Sequence, residues 1–286
     1  MGVRFDDGMR EGDAISPYYD SMVAKLIVHG RTRDEALAKL DAALAQTHIV
    51  GLTTNVQFLR HVVQSASFAQ AKLDTALIQR EAAVLFDQDR VGTHTAIAAA
   101  VTQTLLAERA LETPDPLSKR DGWRPFGLTQ RQFQFEDRGQ TLSATLTYGR
   151  QGALQLAVGE VSGDLRFSPL TPSTTASQAT HAQAFELHWQ GQRLRMHTYT
   201  LSEQVAVFTD RGAALITKLD ALAHAGETVA EGGRLTAPMP GKVVSFAVKA
   251  GDTVAKGQAL AVMEAMKMEH TIAAPANGVV QELLYA

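Results

Sequence analysis

The sequence predicts an α+β protein of several domains: a mixed α/β region, then a long helix with an antiparallel β-barrel, then a small all-β domain. Three observations lead to this prediction. The chain of 286 residues is long enough for two or three domains of roughly 100–150 residues each. Helical periodicity gives way to alternating, strand-like segments at Trp123. A short sequence repeats itself near the C-terminus. We place the domains at 1–85, 86–232 and 233–286.

The first region is predicted to contain a strand followed by two helices. Met22–Val28 is a mostly apolar run of strand length. Thr32 and Glu35 make a capping box, which marks the start of a helix. A second helix is predicted over Val56–Gln64. We expect the apolar residues of both helices to pack in a core, namely Leu37, Leu40, Leu44, Phe58, Leu59, Val62 and Val63.

The middle region is predicted to be one helix followed by a barrel. Residues 93–110 carry Ile97, Val101 and Leu105 on one helical face, with Thr93 as the expected N-cap. Leu111–Gly122 contains two prolines and reads as a connection. Thr171–Ala182 reads as a loop, and Ala225–Gly233 as a hinge. The expected strands are Phe133–Phe135, Leu142–Tyr148, Leu154–Val158, Phe185–Trp189, Leu194–Tyr199 and Val205–Phe208.

Composition excludes several classes of function. The chain has no cysteine, so it forms no disulfide and no thiolate metal site. A net charge of -3 and the lack of a basic run argue against nucleic acid or an anionic membrane as partner. No apolar stretch reaches the roughly 18–20 residues that cross a bilayer. The nine histidines are scattered, and none forms a helical pair at zinc-site spacing. We therefore expect no metal site.

The C-terminal repeat centres on a lysine. Ala237–Val244 resembles Ala274–Gln281, and each copy places a proline before a glycine turn and an apolar pair. Such a duplication predicts two interlocked halves related by a pseudo-two-fold axis. Lys267 lies on the connection between them, between the strand candidates Ala259–Met263 and Thr271–Ala273. Nothing near this lysine in the sequence would activate it as a nucleophile. A site of covalent modification is the better interpretation.

The residues around Lys267 carry a family resemblance. Glu264-Ala265-Met266-Lys267-Met268-Glu269 resembles the motif of biotinyl carrier domains, and Ala237–Gly241 and Ala274-Pro275 match as well. The resemblance implies covalent biotin on Lys267, with Ala265, Met266 and Met268 forming its recognition context. A lipoyl-type carrier shares this fold but typically has Asp-Lys-Ala at the tip. That alternative predicts a different added mass at the lysine.

The first region then also resembles a known family. Ser16–Ile27, Thr32–Ala36 and Gly51–Asn55, with Asp74-Thr75, are similar to the C-terminal subdomain of a biotin carboxylase. The order carboxylase subdomain, helix with barrel, biotinyl carrier is that of the α subunits of acyl-CoA carboxylases. Asp121-Gly122-Trp123-Arg124 is most similar to 3-methylcrotonyl-CoA carboxylase. The enzymes acting on propionyl-CoA or acetyl-CoA share the order and remain alternatives. An efflux adaptor with similar half-motifs would need a long coiled coil, which this sequence lacks.

The resemblance implies partners, cofactors and a reaction. Biotin would carry a carboxyl group to a carboxyltransferase β subunit, which binds the acyl-CoA, and a biotin protein ligase would attach the biotin. ATP, magnesium and bicarbonate would be used only by a complete subunit, because this sequence has no glycine-rich phosphate loop. We expect the isolated chain to be inactive. We also expect a cytoplasmic location, leucine degradation as the pathway, and a carrier domain incompletely closed at its C-terminal strands.

Overall fold

The structure is a computed structural model, and it describes residues 2–13, 15, 22–87, 91–170, 181–219, 235, 242–265 and 268–284. Of His181, Ala265 and Met268 it describes the backbone alone. Contacts divide the chain into two compact units. The first contains Met1–Val3 and Val28–Thr228, and the second contains Arg4–Ile27 and Val229–Ala286. The three domain boundaries given above stay a prediction.

The N-terminal strand and helices follow the sequence prediction, but the expected packing of Leu59 in the core is wrong, because its side chain is 37% exposed. β1 (Val3–Asp7) pairs with β2 (Ala24–Val28) in a two-stranded sheet. Thr32 caps α1, because its side chain accepts a hydrogen bond from the backbone N–H of Glu35. The Glu35 carboxylate in turn accepts from the backbone N–H of Arg31, one residue before the expected partner. The helices are α1 (Arg33–Ala45), α2 (Val56–Gln64), α3 (Ala66–Ala69), α4 (Leu77–Arg80) and α5 (Ala82–Leu85).

The long helix of the middle region, α6 (Thr93–Arg109), is buried around its whole circumference. Residues 96–101 run Ala-Ile-Ala-Ala-Ala-Val, and each is 0% exposed. The helix contacts six strands of one sheet, β3, β5, β8, β9, β10 and β11. The sheet therefore curls around α6, and alanine suits the position because larger side chains would not fit between helix and strands. The predicted apolar face of Ile97, Val101 and Leu105 is confirmed, but burial extends well beyond it.

The sheet around α6 has nine antiparallel strands in the order β6-β5-β4-β3-β11-β10-β9-β8-β7. It is an antiparallel barrel that is nearly closed, and its inward core includes Phe135, Phe185, Leu146 and Met196. The predicted loop Thr171–Ala182 is wrong at its end, because a strand already begins at His181; residues 171–180 lie outside the described part. The strands are β3 (Thr129–Asp137), β4 (Gln140–Tyr148), β5 (Leu154–Val158), β6 (Val161–Asp164), β7 (Arg166–Pro169), β8 (His181–Trp189), β9 (Gln192–Leu201), β10 (Gln204–Phe208) and β11 (Ala213–Leu219).

Polar side chains attach α6 to the barrel wall at Gln103 and at Glu108. Gln103, 3% exposed, accepts a hydrogen bond from the Thr198 hydroxyl on β9 and donates one to Thr200 Oγ1 at 3.1 Å. Glu108 accepts two hydrogen bonds of 2.6 Å from the guanidinium of Arg131 on β3. That guanidinium holds the pKa of Glu108 below its ordinary value. These bonds satisfy groups that would be costly to bury without partners.

The N-terminus of α6 corrects one prediction. Thr93 is not the N-cap: Gly92 occupies that position with φ +78°. The Thr93 hydroxyl donates instead to a carboxylate oxygen of Asp137 on β3. The hydroxyl therefore secures the helix to the barrel and does not cap a backbone N–H.

Among its described residues from 229 onward, the second unit contains two small sheets. β12 (Lys242–Phe246), β14 (Ala259–Ala265) and β15 (Met268–Ala273) form one. β13 (Thr253–Val254) and β16 (Gly278–Val279) form the other. Val248, Val254 and Ala274 make its buried core, with Leu260 and Val280 packed against them.

Candidate cofactor-attachment hairpin

The predicted attachment motif lies on the β14–β15 hairpin. In this antiparallel pair, Glu264 lies opposite Glu269 and Ala265 lies opposite Met268. Two residues of sequence, Met266 and Lys267, separate the last paired positions, and both lie outside the described residues. Two-residue connections are the commonest between hairpin strands. The prediction that Lys267 belongs to the connection of a hairpin thus agrees with the register of its neighbours.

The structure brings two of the four predicted site residues together. Ala265 and Met268 face each other at the end of the ladder, but only their backbones are described. Their predicted part in biotin recognition therefore stays a prediction, as does the modification of Lys267. Both strands are longer than predicted, since β14 extends to Ala265 and β15 begins at Met268. The longer pairing carries the ladder to the motif itself.

The base of the hairpin is held firmly. Met263 on β14 is 1% exposed and Ala261 is 5% exposed, so the strand is anchored by its inward side chains. β12 supports it on the other side, with Lys242 in register with Glu264. Glu264 and Glu269 are exposed and directly opposite each other, an arrangement of like charges that costs some stability. Lys242, one strand away from Glu264, contributes an opposite charge to this row.

Turns of the two repeats interlock beneath the hairpin. The backbone N–H of Gly251 donates to the carbonyl of Val280 at 2.7 Å, and that of Val280 donates to Asp252 at 2.9 Å. Gly257 donates to the carbonyl of Ala274 at 2.7 Å, and Ala274 donates to Gln258 at 2.8 Å. Two turns of the first repeat are therefore bonded to the backbone of the second repeat, in keeping with the interlocked halves that the internal repeat predicts. The result is a rigid support for a side chain attached at the hairpin end.

A second candidate site, which sequence reasoning treated as a simple connection, is the segment between α6 and β3. We call residues 111–128 the α6–β3 segment. Leu117 is 93% exposed, Trp123 78% and Phe126 89%. Large apolar side chains displayed together in this way mark protein interaction sites more often than solvent-facing loops. The available signal was the presence of Trp123 and Phe126 in an otherwise polar stretch.

The α6–β3 segment is held in place despite its exposure. The Glu112 carboxylate accepts hydrogen bonds from the backbone N–H of Arg120 at 2.9 Å and from Lys119 Nζ at 3.2 Å. These bonds lower the pKa of Glu112. A short 3₁₀ turn, Pro116–Ser118, is capped by Asp115. The segment is thus ordered by its own hydrogen bonds before any partner arrives, which reduces the entropy lost on binding.

Gly122 fixes the middle of the α6–β3 segment against the barrel. Its φ is +70°, and a Cβ atom at this position would lie 2.4 Å from the ring of Tyr148 on β4. The carbonyl of Gly122 also accepts a hydrogen bond from the Thr129 hydroxyl. Only glycine combines an unstrained positive φ with the absence of a Cβ atom. Trp123 follows directly, and its backbone N–H donates to Asp121 Oδ1 at 3.0 Å.

The described part of the chain contains no group of three or more histidine, aspartate or glutamate residues placed to hold a metal ion. Among the same residues, no helix has the length and apolar character needed to cross a membrane.

Three family models match the chain in succession. The C-terminal domain of biotin carboxylase matches residues 1–80. The BT domain of the methylcrotonyl-CoA carboxylase α subunit matches residues 92–221. A model named biotin-requiring enzyme matches residues 233–286, which include the β14–β15 hairpin. The order of these matches is the order in which the corresponding elements follow one another in the chain.

Curated relatives agree with the family models. The mitochondrial methylcrotonoyl-CoA carboxylase subunit alpha of Dictyostelium discoideum is 30% identical over 99% of this chain and 41% of its own length. The Rattus norvegicus protein of the same name is 28% identical over 100% of this chain and 40% of its own length. The propionyl-CoA carboxylase alpha chain of Caenorhabditis briggsae is 28% identical over 95% of this chain and 38% of its own length.

A solved structure of a single-chain, multi-domain long-chain acyl-CoA carboxylase covers 100% of this chain and 16% of its own, at 18% identity and a TM-score of 0.28. A likeness of that size supports no argument about the fold. The curated relatives are matched along less than half of their length. Three family matches in one order, together with relatives aligned over the whole chain, place this protein in the family of biotin-dependent acyl-CoA carboxylase α subunits, of which it spans a C-terminal part.

Proposed function

We propose that this chain is the carrier and docking part of a 3-methylcrotonyl-CoA carboxylase α subunit, and that Lys267 bears its biotin. The β14–β15 hairpin carries the proposal, because its register leaves Met266 and Lys267 as the connection between two supported strands. Bound biotin would accept a carboxyl group on its ureido ring at one site and release it at another. The chain itself would supply the rigid support and the attachment point.

The sequence neighbours of Lys267 suit a carrier better than a catalyst. Glu264 and Glu269 are exposed on the described ladder, and carboxylates do not activate a lysine amine as a nucleophile. An amide bond to biotin would remove the lysine charge and leave a long neutral arm. Co-expression with a biotin protein ligase tests the attachment. Lys267→Arg should abolish incorporation of biotin, whereas Lys256→Arg, on a turn of the same unit, should not.

We assign the α6–β3 segment as the surface that contacts a carboxyltransferase β subunit. Leu117, Trp123 and Phe126 are exposed yet held by ordered backbone. Aromatic anchors of this kind supply most of the binding energy at many interfaces, and truncating one costs about 2–4 kcal/mol, or roughly 30- to 1,000-fold in affinity.

The docking proposal is tested by measuring affinity for the β subunit with purified subunits. Trp123→Ala and Phe126→Ala should each weaken binding by about 30-fold or more. Leu73→Ala is the matched control, because Leu73 is 56% exposed but lies outside the segment. Equal affinities of all three variants would reject this surface as the docking site.

The acyl-CoA is proposed from the relatives. The matched BT domain model is that of a methylcrotonyl-CoA carboxylase, and two relatives of that name align over 99% and 100% of this chain. The propionyl-CoA carboxylase alpha chain of Caenorhabditis briggsae aligns over 95% of this chain. Reconstitution of the complete α subunit with its β subunit, assayed with both acyl-CoA esters, tests the choice. Faster turnover of propionyl-CoA would favour that alternative. A role in leucine degradation follows only if 3-methylcrotonyl-CoA is preferred.

Two further expectations belong to the same proposal. The chain alone should not carboxylate biotin, because its sequence has no glycine-rich phosphate loop for ATP and magnesium. An ATP-hydrolysis assay with bicarbonate checks this. A cytoplasmic location is proposed from the sequence, whereas the relatives' names assign those proteins to mitochondria. Cell fractionation with an antibody to this chain decides between the two compartments.

A further inference from the structure

The segment that follows α1 lies against the outer face of the barrel. His48, just after α1, contacts β9 and β10, although it is 151 residues distant in sequence from Tyr199. Arg60 on α2 reaches Asp210, 150 residues away. Both contacts join the region that matches a biotin carboxylase domain to the region that matches the BT domain, and both lie within the first compact unit.

His48 is packed by aromatic rings on several sides. Its ring stacks on Phe208, with centroids 4.4 Å apart and an interplanar angle of 23°. His48 Nδ1 shares a hydrogen bond of 2.9 Å with the Tyr199 hydroxyl, and the His197 ring lies 5.0 Å away. Tyr199 and Phe208 also meet edge to face at 5.7 Å. Aromatic pairs in these geometries contribute beyond the area that they bury.

Arg60 makes a buried connection that uses both ends of its guanidinium. The residue is 6% exposed. Its Nε donates to Asp41 Oδ1 on α1 at 2.9 Å, and its Nη2 donates to the backbone carbonyl of Asp210 at 2.8 Å. Gln64 donates to the same Asp41 oxygen at 3.0 Å. A planar guanidinium with fixed donors can join two elements in a way that a lysine cannot.

A cavity of about 710 Å³ separates the segment over residues 44–60 from the turn at Arg138-Gly139 and from strands β10 and β11. Gly51 lies near Leu201, because a Cβ atom added at Gly51 would lie 3.5 Å from Leu201 Cδ2. Beside this cavity, His48 and Arg60 make ring contacts and hydrogen bonds that join the segment to the barrel.

We propose that His48 and Arg60 are positioning residues that fasten the carboxylase subdomain to the barrel, so that these two regions act as one rigid frame. The effect of this attachment on catalysis rests on the proposed function. In that function, biotin would travel between the site that carboxylates it and the site that transfers the carboxyl group, and a rigid frame would keep the distance between those sites constant. Loss of the attachment should slow the passage of carboxyl groups between sites without slowing the chemistry at either one.

The rigid frame is tested directly by spin-label distances in this chain. The absence of native cysteine allows labels at Asp34→Cys on α1 and Gln192→Cys on β9, both exposed. The parent should give one narrow distance distribution, and His48→Ala combined with Arg60→Met should broaden it at least twofold. Leu73→Ala serves as the control and should leave it narrow. A broad distribution in the parent, or a narrow one in the double variant, would overturn the proposal.

Circular dichroism verifies that the double variant is folded. If the double variant is not folded, Tyr199→Phe replaces it, because this change removes one hydroxyl and keeps the ring. Distance distributions that are unchanged in both Tyr199→Phe and Arg60→Lys would also overturn the proposal. Arg60→Lys retains the charge but can reach only one of the two partners. It should therefore give a smaller broadening than Arg60→Met.

The consequence is tested in the reconstituted holoenzyme. Free biotin serves as substrate for each half-reaction and bypasses the tethered carrier. The double variant should carry out both half-reactions with free biotin at the parent rate, while overall acyl-CoA carboxylation falls about tenfold, as for loss of one contact worth about 1.4 kcal/mol. Parent-like overall turnover would refute the positioning role. A parent holoenzyme with no acyl-CoA carboxylation would instead reject the proposed function, while the spin-label result would stand by itself.

Discussion

Replacing Ile97 with alanine should test whether α6 forms the core of the barrel. Ile97 is 0% exposed and lies among strands of the surrounding sheet. The substitution removes three carbon atoms, which corresponds to about 2.4 kcal/mol of lost burial at about 0.8 kcal/mol each. The cavity left in a helix enclosed by strands cannot collapse easily, and it adds to the cost. We therefore expect the free energy of unfolding to fall by about 3–4 kcal/mol.

Urea unfolding followed by tryptophan fluorescence measures this loss. Trp189 is 5% exposed in the same core, whereas Trp123 is 78% exposed, so a Trp123→Phe background makes Trp189 the reporter of barrel unfolding. Leu111→Ala is the control, because Leu111 is 68% exposed just beyond the helix and should cost less than about 0.5 kcal/mol. A loss below about 1 kcal/mol for Ile97→Ala would refute the picture of a helix enclosed by the sheet.

Two further predictions concern the α6–β3 segment and His48. Gly122→Ala should destabilise the protein by more than Gly127→Ala, because both glycines have positive φ but only a Cβ atom at position 122 would clash with the ring of Tyr148. Adding Tyr148→Ala should therefore recover part of the stability that Gly122→Ala loses, as measured by thermal unfolding. Burial and the neighbouring His197 lower the pKa of His48 from 6.5 to about 4. Between those values the unfolded chain binds a proton that the folded chain does not, so stability falls as the pH decreases from 6.5 and is constant above it.

For His48 the lowered pKa corresponds to about 3 kcal/mol at most, and solvent screening of a half-buried ring reduces this to about 1–2 kcal/mol. His48→Phe should keep the stack on Phe208 and remove this part of the pH dependence. Unfolding midpoints in urea at pH 7 and pH 5 measure the difference. An equal fall in stability for the parent and His48→Phe would contradict the assignment.

Sequence motifs predicted the structure correctly where the interacting residues are close together in the chain. The Thr32 cap is correct because the hydroxyl and the N–H that it accepts are three residues apart. The hairpin around Ala265 and Met268 follows from a contiguous motif. Thr93 looked equally like a cap, but its hydroxyl bonds to Asp137, 44 residues away. The spacing of residues near Thr93 does not reveal a partner so distant in the chain, so the bond to Asp137 could not be predicted from the sequence.

The features that sequence reasoning missed depend on tertiary packing. An alanine-rich helix with Ile97 and Val101 on one face has the same pattern whether one side or the whole circumference is buried, so enclosure of α6 was not predictable. The junction of His48 with Tyr199 joins residues 151 positions apart. Exposure of Trp123 depends on where the barrel places Gly122, which the sequence does not state.

The central claim is that Lys267 carries biotin at the end of the β14–β15 hairpin. Mass spectrometry of the proteolytic peptide that contains Lys267, after co-expression with a biotin protein ligase, tests it most directly. We predict the mass of one biotinyl group on that peptide and on no other, and none in Lys267→Arg. A lipoyl group on Lys267, biotin on another lysine, or an unmodified Lys267 would contradict the account.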